Sequence, residues 1–144
     1  FDSWALKGNS VLRLIHYPPI EDSSNVLRAR AHEDINLITL LVGAEESGLE
    51  VQNPNDEWIP IAAKSKSIVC NIGDMMQLVT RSKLKSTSHR VVDHNSSSSA
   101  SRYSMPFFLH PSPEIELCSI VDDSTESISA HDFLEERLKA IKLY

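Results

Sequence analysis

Short segments rich in β-branched and apolar residues recur along this chain of 144 residues, and turn residues separate them. The segments are Val11–Tyr17, Leu37–Val42, Gly48–Gln52, Glu57–Ile61, Ser67–Ile72, Met75–Thr80, Ser88–Val92 and Ser101–Leu109. Turn signals stand between them at Pro18–Pro19, Asn53–Asp56 and Gly73–Asp74. This spacing, without an alternating helical pattern, predicts an all-β sandwich or barrel.

Only the C-terminal segment has a convincing helical pattern. Ser129 has the form of an N-cap, with the acidic Asp132 three positions later. Apolar residues then recur at i, i+4 and i+7, namely Leu134, Leu138 and Ile141. We expect a helix over about residues 130–142 on the outside of the sheet, and an exposed hairpin loop at the serine tract 96–99.

Length and charge narrow the class of protein. The chain is the size of one domain, and its 14 basic and 20 acidic residues give a formal charge of -6. Because the basic residues are scattered, binding to a nucleic acid backbone is not expected. No apolar run approaches the roughly 18 to 20 residues that span a bilayer, and residues 1–30 lack the pattern of a signal peptide. We therefore expect no membrane span and a cytoplasmic location.

The two cysteines form no metal-binding pair. Cys70 and Cys118 lie 48 positions apart, so neither a C-x-x-C site nor a disulfide framework is indicated. We expect both thiols to be reduced and buried as small hydrophobic groups. The chain starts at Phe1, and this start suggests a fragment of a longer protein.

A candidate metal site begins in the run Ala31-His-Glu-Asp-Ile-Asn36. On an extended strand, residues i and i+2 point to the same side, so His32 and Asp34 would be neighbours. A second imidazole from His89, 55 positions after Asp34, would complete a face of two histidines and one carboxylate. Such a face suits non-haem Fe(II), because it leaves positions open for substrate and oxygen. Taken singly, His32 could equally be a core histidine and Asp34 a helix cap.

The same alternation predicts an acid-binding pair in Arg102-Tyr-Ser104. Arg102 and Ser104 should share one side of a strand. A guanidinium binds a carboxylate through two parallel hydrogen bonds, and a serine hydroxyl can add a third. The alternative is that Arg102 is an ordinary surface charge.

Several segments together resemble a known family. They are LRLIHYPP (12–19), HEDINLITLL (32–41), GLEV (48–51), WI (58–59), NIGDMMQ (71–77), KS (85–86), SHRVV (88–92) and RYSMPF (102–107). In order and spacing they are similar to the signature segments of the isopenicillin N synthase-like Fe(II)/2-oxoglutarate-dependent dioxygenases, over about residues 11–111. The resemblance implies a double-stranded β-helix, or jelly roll, with ferrous iron at one end of the barrel.

Site residues follow from the resemblance by position. His32, Asp34 and His89 are similar to the metal triad, and Arg102 and Ser104 to the pair that binds the distal carboxylate of 2-oxoglutarate. Tyr17 resembles a tyrosine that helps to bind the same co-substrate. Ile15 departs from the family, because many relatives carry an asparagine there. Family members also have an N-terminal region, so we expect residues 1–144 to be a single catalytic domain without that region.

The implied activity is oxidation of a small organic molecule by O2, through hydroxylation, desaturation or cyclisation. Fe(II) would be the cofactor, 2-oxoglutarate the co-substrate and ascorbate a reductant, with succinate and CO2 as co-products. Two alternatives are an iron oxidase of the same family that does not use 2-oxoglutarate and an inactive jelly-roll binding module.

The remaining candidates are expected to be structural. His16, His94, His110 and His131 should be solvated or structural, and Asn71 lies near the site at most indirectly. Met75 and Met76 should point to opposite faces of a strand, and Phe107 and Phe108 should belong to the core.

Overall fold

The computed structural model describes residues 2–19, 27–42, 48–61, 66–92 and 101–141. These residues include twelve short strands and three helices. The strands are β1 Val11–Leu12, β2 Ile15–Tyr17, β3 Leu27–His32, β4 Ile38–Val42, β5 Leu49–Gln52, β6 Trp58–Pro60, β7 Ile68–Ile72, β8 His89–Val92, β9 Arg102–Ser104, β10 Pro106–Leu109, β11 Glu116–Cys118 and β12 Ser127–Ser129. The helices are α1 Asp2–Ala5, α2 Asp74–Val79 and α3 Ala130–Ala140.

Two four-stranded antiparallel sheets carry most of the strands. One has the order β1-β10-β4-β7 and the other β3-β8-β5-β6, while β2 pairs with β9 and β11 with β12. One cavity is lined by residues of both four-stranded sheets and of the β2–β9 pair, so it lies between them. This arrangement is the jelly roll, and it confirms the expected mainly β fold with a C-terminal helix.

The segment Met75–Thr80 is a helix, and its prediction as a strand is wrong. Met75, Met76 and Val79 are buried together in the main core, where Leu117 and Ala130 also lie. The spacing i, i+1, i+4 puts these side chains on one face of a helix, so Met75 and Met76 do not point to opposite sides. Six residues are too few to show a helical period in the sequence.

Three further details refine the predicted elements. Val11–Tyr17 and Ser101–Leu109 are each divided into two strands, and the strand β3 and the hairpin β11–β12 were not predicted. The helix α3 is confirmed, with Asp132 donating its backbone N–H to the Ser129 hydroxyl at 3.0 Å. The serine tract 96–99 lies outside the described residues.

The cysteines are free, but their predicted burial is wrong for Cys70, which lies exposed on β7. Cys118 is half-buried. Among the described residues, every helix is too short or too polar to cross a membrane.

Candidate metal centre

The three predicted metal ligands meet at the ends of two paired strands. His32 is the last residue of β3 and pairs with His89, the first residue of β8. Asp34 follows two residues after the strand and turns back towards both rings. Its Oδ1 lies 3.9 Å from Nε2 of His32 and 3.7 Å from Nε2 of His89. The three ligand atoms lie within 4.8 Å of one another.

Backbone hydrogen bonds fix which nitrogen of each imidazole faces the centre. Nδ1 of His32 lies 2.7 Å from the Arg30 carbonyl, and Nδ1 of His89 lies 3.1 Å from the Thr87 carbonyl. A carbonyl oxygen can only accept, so each Nδ1 carries the proton and donates it. Each ring therefore turns Nε2 towards Asp34, with Nδ1 engaged by the backbone as in a metal-ligating histidine.

Asp34 and His89 are the buried members of the group, while His32 is exposed. Asp34 is 6% exposed, and no described residue gives a hydrogen bond to its Oδ2. A buried anion is costly unless a cation or a donor compensates it. Two imidazole lone pairs and one carboxylate form the donor set that non-haem Fe(II) takes. The residues thus fit a ferrous ion.

The acid-binding pair lies on β9, opposite β2. Arg102 and Ser104 are buried while Tyr103 between them is exposed, as the strand alternation predicts. The pairing sets Tyr17 opposite Arg102 and Ile15 opposite Ser104. Cζ of Arg102 lies 5.3 Å from the centroid of the Tyr17 ring, which is a cation–π distance.

The metal ligands and the acid-binding pair line a single cavity of about 470 Å³. Its wall includes Asn71 on β7 as well as Ile15 and Tyr17 on β2. The predicted site residues are Tyr17, His32, Asp34, His89, Arg102 and Ser104, and all six line this cavity. The cavity can hold a small dianion with one end at the metal ligands and the other at the guanidinium.

A second cavity, of about 640 Å³, adjoins the first on the side of α3. His32, Asp34, Arg13, Phe108 and Ile141 line both cavities. The rest of its wall is apolar at Val11, Ala31, Ile35, Leu134 and Leu138 and polar at Glu33, Asn36, Ser88, His110 and Arg137. His32 and Asp34 therefore lie at the border of the two cavities, and His89 lines the first.

Arg13 and Phe108 were missed as site residues. Arg13 stands two positions before Ile15, and the period of two that placed Arg102 beside Ser104 could have indicated it. Phe108 alternates with Pro106 in the same manner on β10, and both line the first cavity. The paired phenylalanines gave no signal in the sequence beyond that of a core strand.

Of the other described histidines, His16 and His131 lie apart from the metal ligands, and His110 lies near them. His16 is exposed, where its ring stacks on Tyr103 and its Nε2 lies 2.9 Å from the Ser101 hydroxyl. His131 is exposed on α3, and His94 is outside the described residues. His110 was expected to be solvated, but it is half-buried in the wall of the second cavity. Burial lowers the pKa of His110, and the charge of Asp34 opposes this in part.

Comparison with curated proteins gives related sequences. A 2-oxoglutarate-dependent dioxygenase of Didymella fabae is 32% identical over 146 residues, covering 93% of this chain and 44% of that protein. The 2-oxoglutarate-dependent dioxygenase citB of Monascus ruber is 43% identical over 103 residues, covering 67% of this chain and 30% of that protein. The chain thus spans less than half the length of these relatives.

Solved structures show the same likeness. A protein of Caulobacter crescentus described as a 2OG-Fe(II) oxygenase family member has a TM-score of 0.89 and 46% identity, over 99% of this chain and 49% of that one. A full-length Neurospora crassa protein in complex with alpha-KG has a TM-score of 0.88 and 30% identity, over 98% of this chain and 47% of that one. A profile of the 2OG-Fe(II) oxygenase superfamily matches residues 8–111, well over half of the chain. The chain therefore belongs to the 2OG-Fe(II) oxygenase superfamily.

Proposed function

We propose that this chain is the catalytic domain, over residues 1–144, of an Fe(II)- and 2-oxoglutarate-dependent oxygenase. It would oxidise a small organic molecule, by hydroxylation, desaturation or cyclisation, and release succinate and CO2. The supporting observation is that three metal donors and a buried acid-binding pair line one cavity of about 470 Å³. Neither group alone would distinguish this function from a structural metal or an anion site.

Iron would be held by Nε2 of His32, Nε2 of His89 and the carboxylate of Asp34. Bound iron supplies the O2 chemistry, with ascorbate as an external reductant, since no protein side chain performs it. The chain's own contribution is to hold both imidazoles with Nε2 facing the centre, through the hydrogen bonds that each Nδ1 donates to the carbonyls of Arg30 and Thr87. Buried Asp34 adds the one negative charge.

The co-substrate would bind with its distal carboxylate on Arg102 and Ser104. A guanidinium and a hydroxyl offer this carboxylate charge-assisted hydrogen bonds. Tyr17 packs beside the guanidinium and helps to hold it in place. The keto acid end would then face the metal ligands at the other end of the cavity. Ile15 replaces the family's asparagine with an apolar wall, and Asn71 is the amide that lines this cavity.

The second cavity is our proposed site for the molecule that is oxidised. It opens beside His32 and Asp34, so a bound molecule would lie next to the iron ligands. Its wall combines apolar side chains, such as Leu134 and Leu138, with polar ones, so it favours a substrate that has both an apolar body and polar groups. Arg13, at the border of the two cavities, is a polar group that such a substrate could meet. A cytoplasmic location and the absence of nucleic acid partners stay predictions from the sequence.

Succinate formation tests the proposal. The purified protein is incubated with 2-oxoglutarate, Fe(II), ascorbate and O2 while small acids, amino acids and phenolics are screened for faster succinate release. His32→Ala, Asp34→Ala and His89→Ala should each abolish the release, whereas His16→Ala, at an exposed ring away from the cavity, should retain it. Oxidation of a substrate without succinate would instead indicate the family's oxidase chemistry. Binding of substrate without any turnover would indicate an inactive module, and either result overturns the proposal.

A further inference from the structure

Arg137, in the last turn of α3, reaches towards the segment that carries the metal ligands. Its Nη2 lies 2.6 Å from Oδ2 of Asp74 and 3.7 Å from Oε2 of Glu33. The Asp74 side chain is 6% exposed and that of Glu33 is 42% exposed, so the two contacts are unequal. A contact with a buried carboxylate is costly to break, because the acid is then left without compensation. The exposed pair contributes little.

Asp74 is also the point at which α2 holds the metal-binding segment. The first N–H groups of a helix have no partner within the helix. Here these groups are donated to carbonyls of residues 34–37. The hydrogen bonds are Asp74 to Asp34 at 2.7 Å, Met75 to Ile35 at 3.1 Å, Met75 to Asn36 at 3.2 Å and Gly73 to Leu37 at 2.9 Å. The backbone of the Asp34 ligand is thus held by the N-terminus of α2.

The packing at this junction leaves no room for a larger residue. A Cβ atom on Gly73 would lie 2.0 Å from the Asn36 carbonyl oxygen, so only glycine permits this approach. The Asn36 amide donates to the Ile38 carbonyl at 2.9 Å and to the Thr39 hydroxyl at 3.1 Å. A shift of the first turn of α2 would therefore move the backbone of Asp34 as well.

We infer that Arg137 is a positioning residue that keeps the metal-binding segment in place by pairing with Asp74 and Glu33. The inference rests on the proposed function. Glu33 stands between the ligands His32 and Asp34, and Asp74 donates its N–H to Asp34 itself. Arg137 thus connects the C-terminal helix to the ligand segment in two ways, directly through Glu33 and indirectly through Asp74. Partners that hydrogen-bond directly to metal ligands are typically worth about 10- to 100-fold in metal affinity, and Arg137, which acts through Asp74 and Glu33, should be worth less.

A role for Arg137 in binding substrate is the competing explanation, because this residue also lines the second cavity. Its guanidinium, however, is engaged with two carboxylates, and the nearer of them is buried. Both carboxylates contact Nη2, so a substrate anion at that nitrogen would have to displace Asp74, which has the shorter contact. The geometry therefore favours positioning.

Metal affinity of the folded protein is the decisive measurement. Fe(II) is titrated into the protein without oxygen, at a temperature at which circular dichroism shows the variant to be folded. Arg137→Met should raise the dissociation constant several-fold, up to about 10-fold. The matched control is Lys139→Met, since the exposed Lys139 lies on the same turn and pairs with the half-buried Glu135 at 3.6 Å. The dissociation constant of this control should change less than twofold.

Two further measurements separate positioning from a general loss of stability. Hydrogen exchange of the Asp74 and Met75 amides should quicken in Arg137→Met relative to Lys139→Met. Arg137→Lys keeps the positive charge but lacks the planar guanidinium with its several N–H donors. Its dissociation constant for Fe(II) should therefore lie between those of the wild type and Arg137→Met. This variant also provides the test if Arg137→Met does not fold.

An unchanged Fe(II) affinity in Arg137→Met, or in Arg137→Lys where only that variant folds, would overturn the inference. So would an equal loss in Lys139→Met. A different result would contradict the proposed function itself. In that case the wild-type protein would bind Fe(II) no better than His89→Ala does.

Discussion

Replacing Arg102 with alanine should separate recognition of the co-substrate from the chemistry at the metal ligands. Arg102 is 6% exposed at the end of the cavity, and its guanidinium lies over the Tyr17 ring. Alanine removes the charge and both hydrogen-bonding edges, while His32, Asp34 and His89 keep their own backbone supports. We therefore expect the apparent KM for 2-oxoglutarate to rise much more than kcat falls.

The size of the effect follows from burial. Truncating one partner of a buried, hydrogen-bonded charge pair costs about 2–5 kcal/mol. At about 1.4 kcal/mol for each factor of ten, this is a loss of roughly 30- to 4,000-fold in affinity. Ser104→Ala removes a single hydrogen bond to a charged group, which is worth about 1.5–3 kcal/mol. Its KM should therefore rise by roughly tenfold or more, and less than that of Arg102→Ala.

The assay compares two keto acids that differ only at the distal end. Initial rates are measured against 2-oxoglutarate, which gives succinate, and against 2-oxopentanoate, which has no distal carboxylate and gives butyrate. Wild-type protein should strongly prefer 2-oxoglutarate. Arg102→Ala should lose most of that preference, because the variant lacks the group that detects the carboxylate. The control is Tyr103→Ala, on the same strand but 61% exposed, and its KM should not change.

The reasoning would be refuted if Arg102→Ala kept the wild-type KM for 2-oxoglutarate, or kept its preference over 2-oxopentanoate. Either result would place the distal carboxylate elsewhere. A fall in kcat with unchanged KM for both acids would assign Arg102 to the metal centre instead.

Three further predictions concern the surroundings of the site. Leu138→Trp should fill part of the second cavity, so that substrate oxidation falls several-fold. Succinate release without substrate and the KM for 2-oxoglutarate should stay unchanged. A loss of both activities would contradict the assignment of substrate and co-substrate to separate cavities. Gly73→Ala should destabilise the fold by about 1–3 kcal/mol in urea unfolding, because its Cβ meets the Asn36 carbonyl, and a neutral effect would contradict the close approach. Burial lowers the pKa of His110, so below about pH 6.5 the unfolded state takes up a proton that the folded state does not. The free energy of unfolding therefore decreases as the pH is lowered. His110→Gln should reduce that fall between pH 7 and pH 5, and an identical pH profile would contradict it.

The acid-binding pair shows what sequence alone can predict in this chain. The order of exposure along β9, with Arg102 and Ser104 buried and Tyr103 exposed, is the alternation that any strand imposes. Because this rule is local, it needed no knowledge of the partner strand. The pairing of Ile15 and Tyr17 with this strand was not predicted, since pairing register is a long-range property.

The error at α2 has the opposite origin. Asp74–Val79 is too short to stand as a helix through propensity alone, and short helices depend on tertiary packing. Its N-terminal N–H groups are satisfied by carbonyls some 40 positions earlier in the chain. Its apolar face is buried against Leu117 and Ala130, which come about 40 and 55 positions later. Neither contact leaves a trace in the local pattern.

The metal ligands combine the two cases. The rule of alternation on a strand predicted that His32 and Asp34 are neighbours, and they are, but β3 ends at His32 and the rule does not extend to Asp34. The side chain of His32 is 48% exposed and that of Asp34 only 5%, which one strand face would not produce. Asp34 turns inwards because α2 holds its backbone, and Asp74 of α2 contacts Arg137 on the last helix. The geometry of this ligand therefore depends on residues 40 to 100 positions away, and substitutions there should alter metal affinity while leaving every ligand in place.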